Sequence, residues 1–150
     1  MKKKRGMAVA AALTLSMAMS VSALAASPSD ISGHWAKGTI TQWTSKGYIS
    51  GYPDGTFKPD ASITRAEFVT MAMNFANAEK GTACSFPDVP QNMWYYGAIA
   101  GATQNGWISG YPDGTFGPDR YITRAEVTSV INRMENRAAD MSFMMDHLDE

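Results

Sequence analysis

Apolar residues recur at helical spacing along four stretches of this chain. Phe68, Met71, Ala72 and Phe75 fall at i, i+3, i+4 and i+7, and so do Val127, Val130, Ile131 and Met134. Side chains at that spacing share one face of a helix, so both sets are expected to form apolar stripes packed in a core. A stretch from about Trp35 to Lys46 carries Ile40 and Trp43 on one face. It ends at Gly47, where a left-handed C-terminal cap is expected. Tyr95 to Asn105, closed by Gly106, is its counterpart. Between the helices lies a short apolar, extended piece, Tyr48-Ile49, and then the loop from Ser50 to Asp60. Pro53-Asp54-Gly55 is a turn signal, since proline fixes its own φ and glycine accepts a positive one. Phe57 follows and is expected to plug the core, with Phe116 in the same role after Pro112-Asp113-Gly114.

The second helix of each pair has a well-marked start. In Thr64-Arg65-Ala66-Glu67 the threonine hydroxyl is expected to cap the glutamate amide, while the glutamate reaches back to the threonine amide. Ile63 and Phe68 stand at the two positions of a hydrophobic staple. Thr123, Glu126, Ile122 and Val127 repeat the arrangement.

These elements form one unit written twice at an offset of 59 residues. Gly47 to Phe68 and Gly106 to Val127 are identical at 17 of 22 aligned positions. Upstream, Trp35 aligns with Trp94 and Ile40 with Ile99, and Asp30 aligns with Asp88 after a one-residue insertion in the second copy. The expected fold is mainly α: two helix-loop-helix repeats, residues 27–80 and 86–137, packed on each other pseudo-symmetrically, with short extended segments in the loops. Each repeat alone is small for an independent core, which is why packing between them is expected.

The termini change the picture. Lys2 to Arg5 form a positive block, Met7 to Met19 is uncharged and apolar, and Ala23-Leu24-Ala25 has the small-x-small form of a cleavage site. That layout reads as a secretory signal peptide over residues 1–25, in preference to an uncleaved anchor. The protein is therefore expected to be secreted. Residues 138–150 form a Met-rich acidic tail that resembles a spacer before another repeat. Four of the 13 basic residues lie in the signal, leaving nine against 14 acidic ones. With no basic run after Arg5, nucleic acid is not an expected partner. Cys84 is the only cysteine, so an internal disulfide is excluded and the thiol reads as incidental.

No catalytic constellation is present. His34 and His147 are far apart and neither recurs in the other repeat, so no metal site or cofactor is expected, and His34 reads as solvated. The Asp-Gly-Thr stretches lack the early oxygen ligands of a calcium loop, because Tyr52 and Pro53 precede Asp54. Arg65 and Arg124 are more informative. Each sits in the first turn of a helix, where unpaired amides and the dipole suit an anion. A guanidinium added there makes a fork for a carboxylate or phosphate. The competing reading is that each arginine pairs with a nearby acid, and the residues leave the two open. Trp35, Trp94, Tyr52 and Tyr111 recur near the loops, where their faces suit sugar rings or core packing alike.

Asp30 with Trp35-Ala36, Gly47 to Phe57 and Ile63 to Phe68 together resemble the S-layer homology repeat of bacterial surface proteins. Phe86 to Val89, Trp94, Gly106 to Phe116 and Ile122 to Val127 resemble a second. The resemblance covers nearly all of the chain after the signal. It implies non-covalent anchoring to the cell wall, without enzymatic activity, by binding secondary cell-wall polysaccharide, commonly an acidic, pyruvylated glycan. It implies that Arg65 and Arg124 contact the acidic sugar, beside Thr64 and Thr123. Gly51 and Gly110 would let backbone approach the glycan, and Trp35 and Trp94 would line the groove. Such repeats usually work in threes about a pseudo-threefold axis, whereas this chain carries two. Two further readings are a surface-layer protein acting mainly by self-association and the anchor of an envelope hydrolase.

Overall fold

The computed structural model describes residues 28–137. After a 3-10 turn at Ser29–Ile31 come four helices: α1, Lys37–Ser45; α2, Arg65–Phe75; α3, Tyr96–Gln104; and α4, Arg124–Met134. Among the described residues the only strand-like pairing is an isolated antiparallel bridge, Thr64 to Tyr121, so the protein is mainly α as the pattern predicts. None of the described helices is long and apolar enough to cross a membrane. The signal segment and the acidic tail lie outside the described residues.

The helix starts are of two kinds. At α2 the Thr64 hydroxyl accepts the Glu67 amide at 3.2 Å, and the Glu67 carboxylate accepts the Thr64 amide at 2.8 Å. α4 repeats this capping box with Thr123 and Glu126. Each box satisfies two amides that a helix start otherwise leaves unpaired. α1 and α3 have no side-chain cap and are shorter than expected, starting at Lys37 and Tyr96. A hydrogen-bonded turn replaces the first residues of α1: Lys37 donates to the His34 carbonyl, and Ala36 donates to His34 Nδ1. The other ring nitrogen of His34 lies 3.1 Å from Asp60, and its side chain is only 14% exposed. His34 is thus a tie between the turn and the loop, where the sequence suggested a solvated ring.

All four helices end alike. Gly47 and Gly106 adopt φ of 73° and 71°. Each glycine donates to the carbonyl three residues back, and the next residue donates to the carbonyl five back. Asn77 and Asn136, at φ 50° and 51°, close α2 and α4 in the same way. Asparagine is the side chain that best tolerates this left-handed position.

The loops are held by carboxylates. Asp54 accepts both the amide and the hydroxyl of Thr56, and Asp113 does the same for Thr115. Asp30 reaches in from the preceding turn to accept the amides of Phe57 and Lys58. Asp88 does so for Phe116 and Gly117. The two aligned aspartates therefore clamp each loop to the segment ahead of the first helix.

The main core forms between the repeats. α2 packs on α3, so a helix of the first repeat sits on a helix of the second. Gly101 makes the approach possible: a Cβ there would lie 2.6 Å from the Met73 methyl and 2.6 Å from the Glu79 carbonyl. Ala66, Phe68, Val69 and Met73 of α2 share one buried cluster with Ile99, Ala102, Ile108 and Phe116.

The two copies are not equally covered. Ala66 and Val69 are buried in α2, whereas their counterparts Ala125 and Thr128 in α4 are exposed. Phe116 is fully buried, but Phe57 is only half-buried and does not plug the core as expected. The predicted stripes need correcting at two positions. Phe75 is 52% exposed and stacks on Trp43 at the rim, with ring centroids 5.7 Å apart. Ile131 is 42% exposed, and among the described residues no helix is laid on α4 as α3 is laid on α2.

Candidate functional site

The two arginines, equivalent in sequence, occupy opposite environments. Arg65 is 7% exposed and lies in the seam between the repeats. Its Nε donates to the Phe116 carbonyl at 2.9 Å, one terminal nitrogen donates to Glu126 at 2.9 Å, and the other reaches the Ser109 carbonyl at 3.5 Å. The guanidinium also lies 4.7 Å from the ring centroids of both Tyr111 and Phe116. The helix start that carries it is docked too. The Arg65 and Ala66 amides donate to the Arg120 and Pro118 carbonyls at 2.9 and 3.1 Å, and Ile122 donates to the Ile63 carbonyl. In repeat 1, therefore, the donors that would attract an anion are taken up by repeat 2.

Glu126 is the centre of that socket. One carboxylate oxygen accepts from Arg65 and from the Tyr111 hydroxyl, and the other accepts the amide and hydroxyl of Thr123. Burial works to raise its pKa. The Thr123 amide, the Tyr111 and Thr123 hydroxyls and the Arg65 charge outweigh that and lower it from 4.5 to about 2. A carboxylate with a depressed folded pKa contributes stability that is complete above its ordinary value and is lost as the pH falls through the folded value. The shift is worth at most about 3 kcal/mol. Glu126→Gln, which keeps the cap, is expected to trail the wild type in urea unfolding at pH 7 and to match it near pH 2. A stability gap that stays constant with pH would show that the Glu126 charge is not what the fold uses.

Arg124 is exposed, and among the described residues it has no ion pair. No acceptor among those residues meets the Arg124 or Ala125 amides, although the Thr123–Glu126 box is intact. Guanidinium, two free amides and the positive end of α4 lie together in solvent, a combination that favours a carboxylate. Trp35 is 90% exposed and Trp94 is 60% exposed, so neither is core. Trp35 leans on His34 and Trp94 packs edge-on against Tyr95, each leaving indole surface open. Tyr52 and Tyr111 are half-buried, with their hydroxyls bound to Glu67 and Glu126.

Gly51 and Gly110 have an internal reason to be glycine. A Cβ at either would lie 2.6 Å from a loop carbonyl, of Thr56 or of Thr115. Two shallow clefts of about 400 and 420 Å³ lie at the ends of the helices. One is lined by Ala78, Lys80, Asn105 and Trp107, the other by Lys46, Tyr48, Asn74 and Phe75. Both adjoin the C-terminal end of α2, roughly 16 Å along the helix from Arg65. Neither includes any residue expected from the sequence to contact a glycan. Among the described residues no group of three or more His, Cys, Asp or Glu could hold a metal ion.

Sequence reasoning missed the socket itself. Tyr111, Phe116 and Glu126 each carry a local role readable from the chain, but their common partner is 46 to 61 residues away. The one available signal was that the same residue types recur in both repeats.

The description "S-layer homology domain" fits residues 29–69 and 85–128. Cell surface glycoprotein 1 of Acetivibrio thermocellus is 44% identical over 129 residues, covering 77% of this chain and 6% of that protein. The cellulosome-anchoring protein of the same organism is 42% identical over 110 residues, covering 69% of this chain and 24% of that protein. The surface-layer 125 kDa protein of Lysinibacillus sphaericus is 35% identical over 101 residues, covering 67% and 8%. The chain thus spans less than a quarter of the length of these relatives.

Proposed function

Because this chain belongs to the S-layer homology domain family, we propose that it is a non-enzymatic anchoring module that binds an acidic, pyruvylated cell-wall polysaccharide at the outer surface of the cell. The observation that carries this reading is the open start of α4, where Arg124 is exposed and two amides have no acceptor among the described residues. A pyruvyl ketal presents one carboxylate on a compact sugar. Arg124 supplies the fork for it, Thr123 keeps the helix start in shape, and the exposed faces of Trp94 and Trp35 supply platforms for sugar C–H surface. Arg65, with Thr64, serves differently: committed to Glu126, it holds the two repeats in register. Gly51 and Gly110 each keep their own loop closed.

Purified cell wall provides the test. Arg124→Ala is expected to bind wall roughly tenfold to a hundredfold more weakly, the value of a charge-assisted hydrogen-bond set. Wall treated with acid to remove its pyruvyl groups is expected to lose the wild-type protein to a similar degree. Undiminished binding of Arg124→Ala would overturn the assignment of the site. Undiminished binding to acid-treated wall would overturn the assignment of the ligand.

A further inference from the structure

The contact between the repeats uses a donor face on repeat 1 and a socket on repeat 2, and each repeat carries both. Among the described residues, one donor face and one socket are therefore left over. The spare donor face is the start of α4, with Arg124 exposed and the Arg124 and Ala125 amides unpaired among the described residues. The spare socket is on repeat 1. Glu67 is held by Tyr52 and Thr64 as Glu126 is held by Tyr111 and Thr123, but among the described residues no arginine reaches it. The carbonyls of Phe57, Pro59 and Ala61 stand where those of Phe116, Pro118 and Arg120 accept from Arg65 and its helix start, and none has a partner among the described residues. The hydrogen bonds from Thr64 and Tyr52 outweigh burial and keep the Glu67 pKa below its ordinary value, so the socket is anionic at neutral pH.

We propose that the Arg124 face of one chain docks into the Tyr52–Glu67 socket of a second copy, head to tail, as Arg65 docks on Glu126 within the chain. The partner is a second copy because both halves of the contact are present on this chain, complementary in charge and matched at the arginine, the glutamate and the tyrosine to an interface the fold already makes. Such an interface is not self-complementary in the twofold sense. It propagates until it closes into a ring or continues as an open chain.

The contact is weaker than its internal counterpart. Thr128 and Asn132 replace Val69 and Met73, so α4 offers less apolar surface than α2. Gln42 stands where Gly101 admits Met73, so α1 cannot receive a helix as closely as α3 does. Lys58 lies over the Tyr52 ring at 4.4 Å and competes for the socket. The arginine and the loop carbonyls are what remain, a small polar interface.

Sedimentation of the processed chain, residues 26–150, without glycan, reads the proposal. The wild type is expected to associate reversibly between about 10 µM and about 1 mM, the weak range of small interfaces. Arg124→Ala and Glu67→Gln are each expected to stay monomeric. Glutamine keeps the capping box, and an unchanged helical circular dichroism signal would confirm that the fold is intact. Mixed in equal amounts, the two variants are expected to form a 1:1 pair, one giving the arginine and the other the socket. The pairing sides are fixed, because Arg124→Ala keeps its socket and Glu67→Gln keeps its arginine. Lys58→Gly, which suits the φ of 55° at that position, is expected to move association to lower concentration. Ser50→Arg, a cation on the exposed rim of the socket, provides a second block that leaves the cap untouched. A wild type that stays monomeric throughout overturns the proposal, as does association that survives these variants or a mixture that fails to pair. Wall binding separates this outcome from the anchoring reading: Glu67→Gln keeps its arginine and is expected to bind wall normally, whereas Arg124→Ala loses both.

Discussion

Arg65→Ala is expected to destabilise the folded chain by about 3 kcal/mol, while the equivalent change at Arg124 costs less than about 0.5 kcal/mol. The truncation leaves Glu126 without its cation and removes donors from the Phe116 and Ser109 carbonyls. Breaking a buried ion pair by deleting one partner typically costs about 3–5 kcal/mol, because the remaining charge stays desolvated. The low end applies here, since the Glu126 side chain keeps 26% of its surface exposed and water can partly replace the guanidinium. Stacking on Tyr111 and Phe116 is lost as well. At Arg124 nothing of this kind is removed. Urea unfolding of both variants at neutral pH measures the difference. Equal losses at the two positions would mean that the seam does not depend on the arginine. A second readout is specific to the pair: in Arg65→Ala the Glu126 pKa is expected to rise, because the coulombic share of its depression is gone.

The second large effect is at an aromatic pair that looks equivalent in the sequence. Phe116→Ala is expected to cost about 3–5 kcal/mol, the range for deleting a fully buried phenylalanine ring. Phe116 is fully buried, its carbonyl is the acceptor for Arg65, and its ring lies against Phe86 with centroids 5.6 Å apart. Phe57→Ala is expected to cost no more than about half as much, because that ring is only half-buried and no arginine among the described residues lies over it. Thermal or urea unfolding compares the two directly. The asymmetry follows from position in the array: repeat 2 receives α2, whereas among the described residues no helix is placed on repeat 1 in the same way. A Phe57→Ala loss as large as that of Phe116→Ala would show that repeat 1 is as fully enclosed as repeat 2.

These contrasts mark the reach of sequence reasoning. The capping boxes at Thr64 and Thr123 were legible because every group involved lies within four residues, and local geometry alone brings them together. The left-handed caps at Gly47 and Gly106 were legible for the same reason. So was the division into two units, since Gly47 to Phe68 and Gly106 to Val127 repeat almost letter for letter. The helix starts at α1 and α3 were less well marked. No side chain caps them, and the His34 turn that displaces the start of α1 depends on Asp60, 26 residues away.

The site was legible in its residue types but not in its assignments. Thr-Arg-Ala-Glu occurs twice, with the same neighbours, and nothing in either copy says which arginine is covered. The sequence by itself determined the elements, the two capping boxes, the two glycine caps, the duplication and the family, because each rests on contacts within a few residues or on the pattern of letters. The tertiary structure alone decided that Arg65 is a strut and Arg124 an open donor. That distinction comes from how the repeats stack: the first helix start lands on Pro118, Arg120 and Glu126, while the second meets no equivalent among the described residues. Burial and charge pairing across 61 positions are properties of the packed array, and two identical tetrapeptides cannot record them.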